Sequence, residues 1–218
     1  MFKGIYGQPQ TAMFLGTFQG ASKLTGTIPS GLFAGLSGNY KISLFHDTFM
    51  DCSGLTGAIP ENLFGKLGGA PQNSMFEGVF HGCTGLTGKI PAGLFGKIDG
   101  APATRMFEDT FSECSGLTGS IPSDLFGTIN GPAANRMFTY TFKDCTGLTG
   151  QVPASLYSGI ETNNDIEDSM TDVFRDSGLM TECPANQYYP GSVFEEEWSG
   201  KVFCESEQRL RDRLPRTM

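Results

Sequence analysis

Cys114-Ser115-Gly116-Leu117-Thr118-Gly119-Ser120-Ile121-Pro122-Ser123-Asp124-Leu125-Phe126 is one copy of a stretch that recurs along the chain. Its Leu-Thr-Gly-x-Ile/Val-Pro core begins at Leu24, Leu55, Leu86, Leu117 and Leu148, each 31 residues after the last. A fixed period of this size marks a stacked repeat architecture and outranks any single motif. One unit cannot bury its apolar face alone, so neighbouring units must cover it.

Just before the quoted stretch, Met106, Phe107, Thr110, Phe111 and Cys114 fall at i, i+1, i+4, i+5 and i+8. That spacing predicts one apolar stripe of an amphipathic helix of about two to three turns. Gly116 is placed to end it. Leu117 to Pro122 alternates apolar and polar, which predicts a short strand closed by Pro122. Ser123 or Asp124 is placed to cap a single helical turn over Leu125 and Phe126. Gly131-Pro132 marks the loop back to the next long helix. Fifteen of the eighteen Phe residues occupy three recurring positions, which identifies them as core.

The ends of the chain depart from this pattern. Met1-Phe2 aligns with Leu94-Phe95 three periods on, so the chain starts in the middle of a repeat. It reads as a fragment of a longer repeat protein, or as starting at an internal methionine. Its uncapped first layer invites self-association. The sixth unit keeps Phe174, Gly178 and Leu179, with Asp176 where the cysteine stood. Residues 183–204, with the single Trp198, read as a terminal cap or the start of a Cys-containing module. Residues 205–218 read as a disordered basic tail.

Phe80-His81-Gly82-Cys83-Thr84-Gly85-Leu86-Thr87-Gly88-Lys89-Ile90-Pro91 resembles the F-x-x-C-x-x-L-x-x-I-x-I-P signature of the BspA-like class of leucine-rich repeats. The match recurs at residues 49–60, 111–122 and 142–153. Two departures stand out: the period exceeds the roughly 20–29 residues of leucine-rich repeats, and the Ile-x-Ile-Pro stretch is shortened. The expected fold is therefore α/β: a leucine-rich-repeat-like solenoid over residues 1–182. It would have about five to six 31-residue coils, each with a short strand and helices. The resemblance implies an exported, surface-displayed adhesion or host-interaction protein, hence a cell-surface or secreted location. No signal peptide is visible at Met1-Phe2-Lys3.

Composition excludes some functions. The formal charge is −8, with no basic run before the last residues, which argues against nucleic acid. No run of 18 apolar residues exists, so no membrane insertion is expected. Cys52, Cys83, Cys114 and Cys145 stand 31 apart, without the close pairs of a zinc site. They read as a structural column of buried thiols, with disulfides between neighbouring coils as the alternative. Cys183 and Cys204 are a candidate terminal disulfide, which would imply export.

No catalytic or cofactor signature is present: no G-x-S-x-G, P-loop or H-E-x-x-H. His46 and His81 take different repeat positions and read as exposed helix residues. Glu77, Glu108, Asp109 and Asp144 read as solvated charge on an outer helix face. Asp165, Glu167, Asp168 and Asp172 lack the spacing of a calcium loop. No cofactor and no enzymatic activity are expected.

Partner binding is expected on the strand face. There, Thr25, Thr56, Thr87, Thr118 and Thr149 form an unvarying outward column. Beside it Thr27, Ala58, Lys89, Ser120 and Gln151 change in every repeat and are the candidate contacts for a protein or glycan. A second variable set, His46, Glu77, Glu108 and Thr139, is expected on the helices. The competing readings are a structural spacer within a larger surface protein and, third, a surface hydrolase.

Overall fold

The computed structural model describes residues 5–95, 97–156, 159–161 and 169–181. The expected terminal module, its Cys183–Cys204 bridge, the tail, and Asp165, Glu167 and Asp168 all lie outside the described residues.

Among the described residues the predicted helices of two to three turns do not form, only short 3-10 turns at Ala154–Leu156 and Gly178–Thr181, and the α/β, helix-bearing leucine-rich-repeat solenoid is thereby corrected. Residues 11–20, 42–51, 73–82, 104–113 and 135–144, and the shorter 170–176, are continuous turn. In residues 104–113 the backbone N–H groups alternate between two kinds of partner. Arg105, Phe107, Asp109, Phe111 and Glu113 donate to carbonyls of the next repeat, at Asn135, Met137, Thr139, Thr141 and Lys143. Met106, Glu108, Thr110, Ser112 and Cys114 donate three residues back and close successive turns. An α-helix would instead bond every N–H four residues back along its own chain. Each ribbon is thus a string of four-residue turns, bonded sideways to its neighbour.

The turn geometry requires a left-handed residue every fourth position. These are Arg105 (φ 55°), Asp109 (53°) and Glu113 (63°) in this ribbon, and Ser43, Asp47 and Asp51 two ribbons earlier. Gly, Asn and Asp tolerate that region best. The ribbon repeats its side chains at i, i+4 and i+8. Over nine residues that spacing cannot be told from a helical stripe, which is why the sequence pattern pointed to a helix.

The strand is also displaced. Leu-Thr-Gly-x-Ile forms only isolated parallel bridges, Gly26↔Leu55, Gly57↔Leu86, Gly88↔Leu117 and Gly119↔Leu148. The regular strands fall in the stretch read as a connection: β1 (Ser37–Asn39), β2 (Lys66–Gly68), β3 (Asp99–Gly100), β4 (Thr128–Ile129), β5 (Gly131–Pro132) and β6 (Ile160–Glu161). They pair in parallel as β1–β2, β3–β4 and β5–β6. Consecutive 31-residue repeats therefore lie side by side as layers.

Phenylalanine fills the space between ribbon and strands in three stacks. Phe14, Phe45, Phe76, Phe107 and Phe138 lie with ring centroids 5.5 to 5.7 Å apart. Phe18, Phe49, Phe80, Phe111, Phe142 and Phe174 follow at 5.3 to 5.8 Å. Phe33, Phe64, Phe95 and Phe126 tilt between them; Phe126 meets Phe107 at 4.3 Å. Offset rings at these distances combine area burial with favourable quadrupole contacts.

Small polar groups tie the layers together inside this core. Thr48, Thr110 and Thr141 are fully buried, each hydroxyl within hydrogen-bond reach of two Phe carbonyls, one in its own layer and one in the layer before. Gly116 allows the close approach: a methyl there would collide with the Leu86 carbonyl.

The sixth layer has one residue more before Ser169 and one fewer between Ser177 and Gly178. Phe174 accordingly stacks on Phe142, 32 residues earlier, and Ser177 N–H bonds the Phe174 carbonyl as Cys145 N–H bonds Phe142. Ser177, not Asp176, takes the cysteine position.

Candidate functional site

Two faces of the layered structure carry chemistry. The first is the expected strip. Thr27, Ala58, Lys89, Ser120 and Gln151 are all exposed, as are Thr25, Thr56, Thr87, Thr118 and Thr149 beside them. The intervening glycines, Gly57, Gly88, Gly119 and Gly150, have φ of +76° to +86°. Each lies beneath the variable side chain of the layer before. A methyl on Gly57 would lie 2.9 Å from Thr27 Cγ2, and one on Gly119 would lie 3.2 Å from Lys89 Cγ. The backbone angle favours glycine at all four, and at Gly57 and Gly119 the covering side chain also leaves little room for a methyl. The variable residues therefore form an unbroken surface across five layers.

The second face is the outer side of the turn ribbons, and the expectation for it needs correction. His46, Glu77, Glu108 and Thr139 do not form an exposed variable set. Glu108 and Thr139 are each 3% exposed. The position faces the neighbouring ribbons, so its charges must be paired. His46 Nε2 lies 3.4 Å from Asp47 and 3.7 Å from Glu77. Arg105 lies 3.6 Å from both Glu77 and Glu108, and Arg136 is paired with the other oxygen of Glu108. Burial pushes the Glu108 carboxyl up to about 7, against the pull of Arg136 and Arg105 and with the push of Glu77.

His81 is likewise not a free surface histidine. It is half-buried, its Nδ1 is 3.7 Å from Asp109 Oδ1, and that carboxylate raises its pKa. Sequence reasoning missed this cluster because a helix would have pointed these side chains outward. The available signal was the Gly/Asp spacing of four, Asp47/Asp51, Gly78/Gly82 and Asp109/Glu113, which marks left-handed positions.

The cysteine column is buried and free. Cys52, Cys83, Cys114 and Cys145 form no disulfide, and each thiol donates to a Phe carbonyl of the previous layer at 2.9 to 3.0 Å. Burial raises all four thiols, Cys83 and Cys145 to about 12. Such thiols are poor nucleophiles and poor metal ligands.

Among the described residues no group of three His, Cys, Asp or Glu is placed to hold a metal ion. A cleft of about 30 Å³ beside Tyr40, Leu67 and Lys97 has room for about one water. No helix among them is long and apolar enough to cross a membrane.

The arrangement defines a repeat protein of stacked turn ribbons with one continuous variable strip. No family model, curated protein or solved structure matches the chain.

Proposed function

We propose that this chain is a non-enzymatic binding scaffold, displayed at a cell surface. The strip of Thr27, Ala58, Lys89, Ser120 and Gln151 holds a protein or glycan partner. The carrying observation is that these residues differ in every layer yet are exposed and contiguous. The unvarying threonines beside them supply a regular row of hydroxyls, each able to donate and accept. The strip bears no aromatic ring, the side chain that most often anchors tight contacts. A partner therefore gains affinity by spanning several layers at once. The resemblance to BspA-like repeats supports the surface role.

The test is a screen against immobilised glycans and extracellular proteins, with Lys89→Glu and Ser120→Trp as variants. Binding should fall at least about tenfold, a loss of about 1.4 kcal/mol, with the melting temperature unchanged. A partner bound equally well by both variants would favour the spacer reading and place contacts elsewhere.

A further inference from the structure

The ribbon position of His81 differs from its counterparts in a way the core does not require. In the second layer two left-handed positions carry Asp47 and Asp51, and in the fourth they carry Asp109 and Glu113. In the third layer, that of His81, both are glycine, Gly78 and Gly82. Side chains at these positions would run in columns at the layer spacing, about 4.8 Å. Three carboxylates stacked so closely would repel one another.

The two glycines leave notches into which the second layer leans. A methyl on Gly78 would collide with Asp47 Oδ1, and one on Gly82 with Asp51 Oδ1. His81 stands in the same ribbon, bonded into register by Asp51 N–H to the His81 carbonyl and by Gly82 N–H to Ser112. Its ring is 3.7 Å from Asp109 on the other side.

We propose that His81, set against Asp109 of the fourth layer, with Asp47 and Asp51 of the second leaning into the notches of its own ribbon, forms an acid-set clasp that fastens the third layer to the second and fourth. Asp109 from the layer after is the carboxylate against the ring, while Asp47 and Asp51 from the layer before and Glu113 from the layer after act on it through space by charge. Met50 and Ser112, at the equivalent positions of those layers, carry no charge. Asp47 is also approached by His46 Nε2 at 3.4 Å, and Arg105 is engaged with Glu77 and Glu108. Protonation of the imidazole sets a positive charge against Asp109 and within the field of the other three carboxylates. Loss of that proton leaves the carboxylates to repel across the Gly78 and Gly82 notches.

The direction follows from linkage. The Asp109 carboxylate, 3.7 Å from the ring, is the first cause that raises His81, so the folded state holds the proton more tightly than the unfolded chain. The clasp is whole below the ordinary histidine value and is lost as pH rises through the raised one. Asp47, raised first by burial, acts in the same direction.

The experiment is a ring titration of the two histidines by NMR on the full chain, with melting curves at several pH values. Wild type, His81→Gln and Asp109→Asn are compared; asparagine tolerates the left-handed backbone of Asp109. His81 should titrate above the ordinary value, and Asp109→Asn should move it down. The melting temperature should fall between about pH 6 and about pH 8 in wild type and fall less in His81→Gln, the remaining fall belonging to Glu108, whose carboxyl is held up to about 7. Titration at or below the ordinary value, or an unchanged titration in Asp109→Asn, overturns the clasp. The ring titration of wild type decides the matter if His81→Gln fails to fold.

Discussion

Ser177 occupies the place in the sixth layer that Cys145 holds in the fifth, yet its buried hydroxyl finds no hydrogen-bond partner, while the Cys145 thiol donates to the Phe111 carbonyl at 2.9 Å. The shorter C–O bond does not span the distance that the C–S bond spans. Ser177→Cys should therefore restore the column and add about 1 kcal/mol of stability. Urea denaturation would report it as a higher midpoint at constant slope. An unchanged midpoint would mean that the thiol–carbonyl contacts contribute packing alone.

A left-handed ribbon and a helix rank substitutions in opposite order. Ser74 has φ 54°. Ser74→Gly should match or exceed wild-type stability, because glycine takes this conformation freely. Ser74→Val should lose about 1–2 kcal/mol, since a β-branched side chain clashes there. In a helix interior glycine would be the worse of the two. Thermal melts of the two variants distinguish the backbones.

The layer contact at Gly116 leaves no room for a methyl, which would meet the carbonyls of Leu86 and Thr84. Gly116→Ala should destabilise by about 1–3 kcal/mol through overpacking. Gly31 meets nothing within 4 Å, so Gly31→Ala serves as the control that should be near neutral. Parallel urea titrations give both values.

The thiols of Cys52, Cys83, Cys114 and Cys145 should resist alkylation at about pH 8 in the folded protein and react once it unfolds. Burial is the leading cause in each case, and each Sγ is engaged with a carbonyl. Mass spectrometry of labelled peptides, read at these four positions, follows the reaction along a urea series. Rapid labelling of Cys114 without denaturant would contradict its full burial.

The sequence alone determined the repeat, its register and its core. The interval from Leu55 to Leu86 to Leu117 dictates identical environments, and apolar residues recurring at one place must bury together. The Phe and Cys columns follow directly, because large apolar and small thiol side chains leave water wherever stacking permits. The exposure of Thr27 through Gln151 was also legible, since a position that tolerates Thr, Ala, Lys, Ser and Gln cannot lie in a close-packed interior. What only the tertiary structure decided was the backbone of the ribbons and the environment of the charges on them. Side chains at i, i+4 and i+8 suit a helix and a string of turns equally over nine residues. The choice rests on N–H groups such as that of Phe107, which bond the next layer's Met137 carbonyl rather than their own chain. With that choice Glu108 moved from a solvated face into a pocket between two arginines, and His81 into a half-buried place against Asp109. Hydrogen bonds between layers are long-range in sequence, and no local periodicity encodes them.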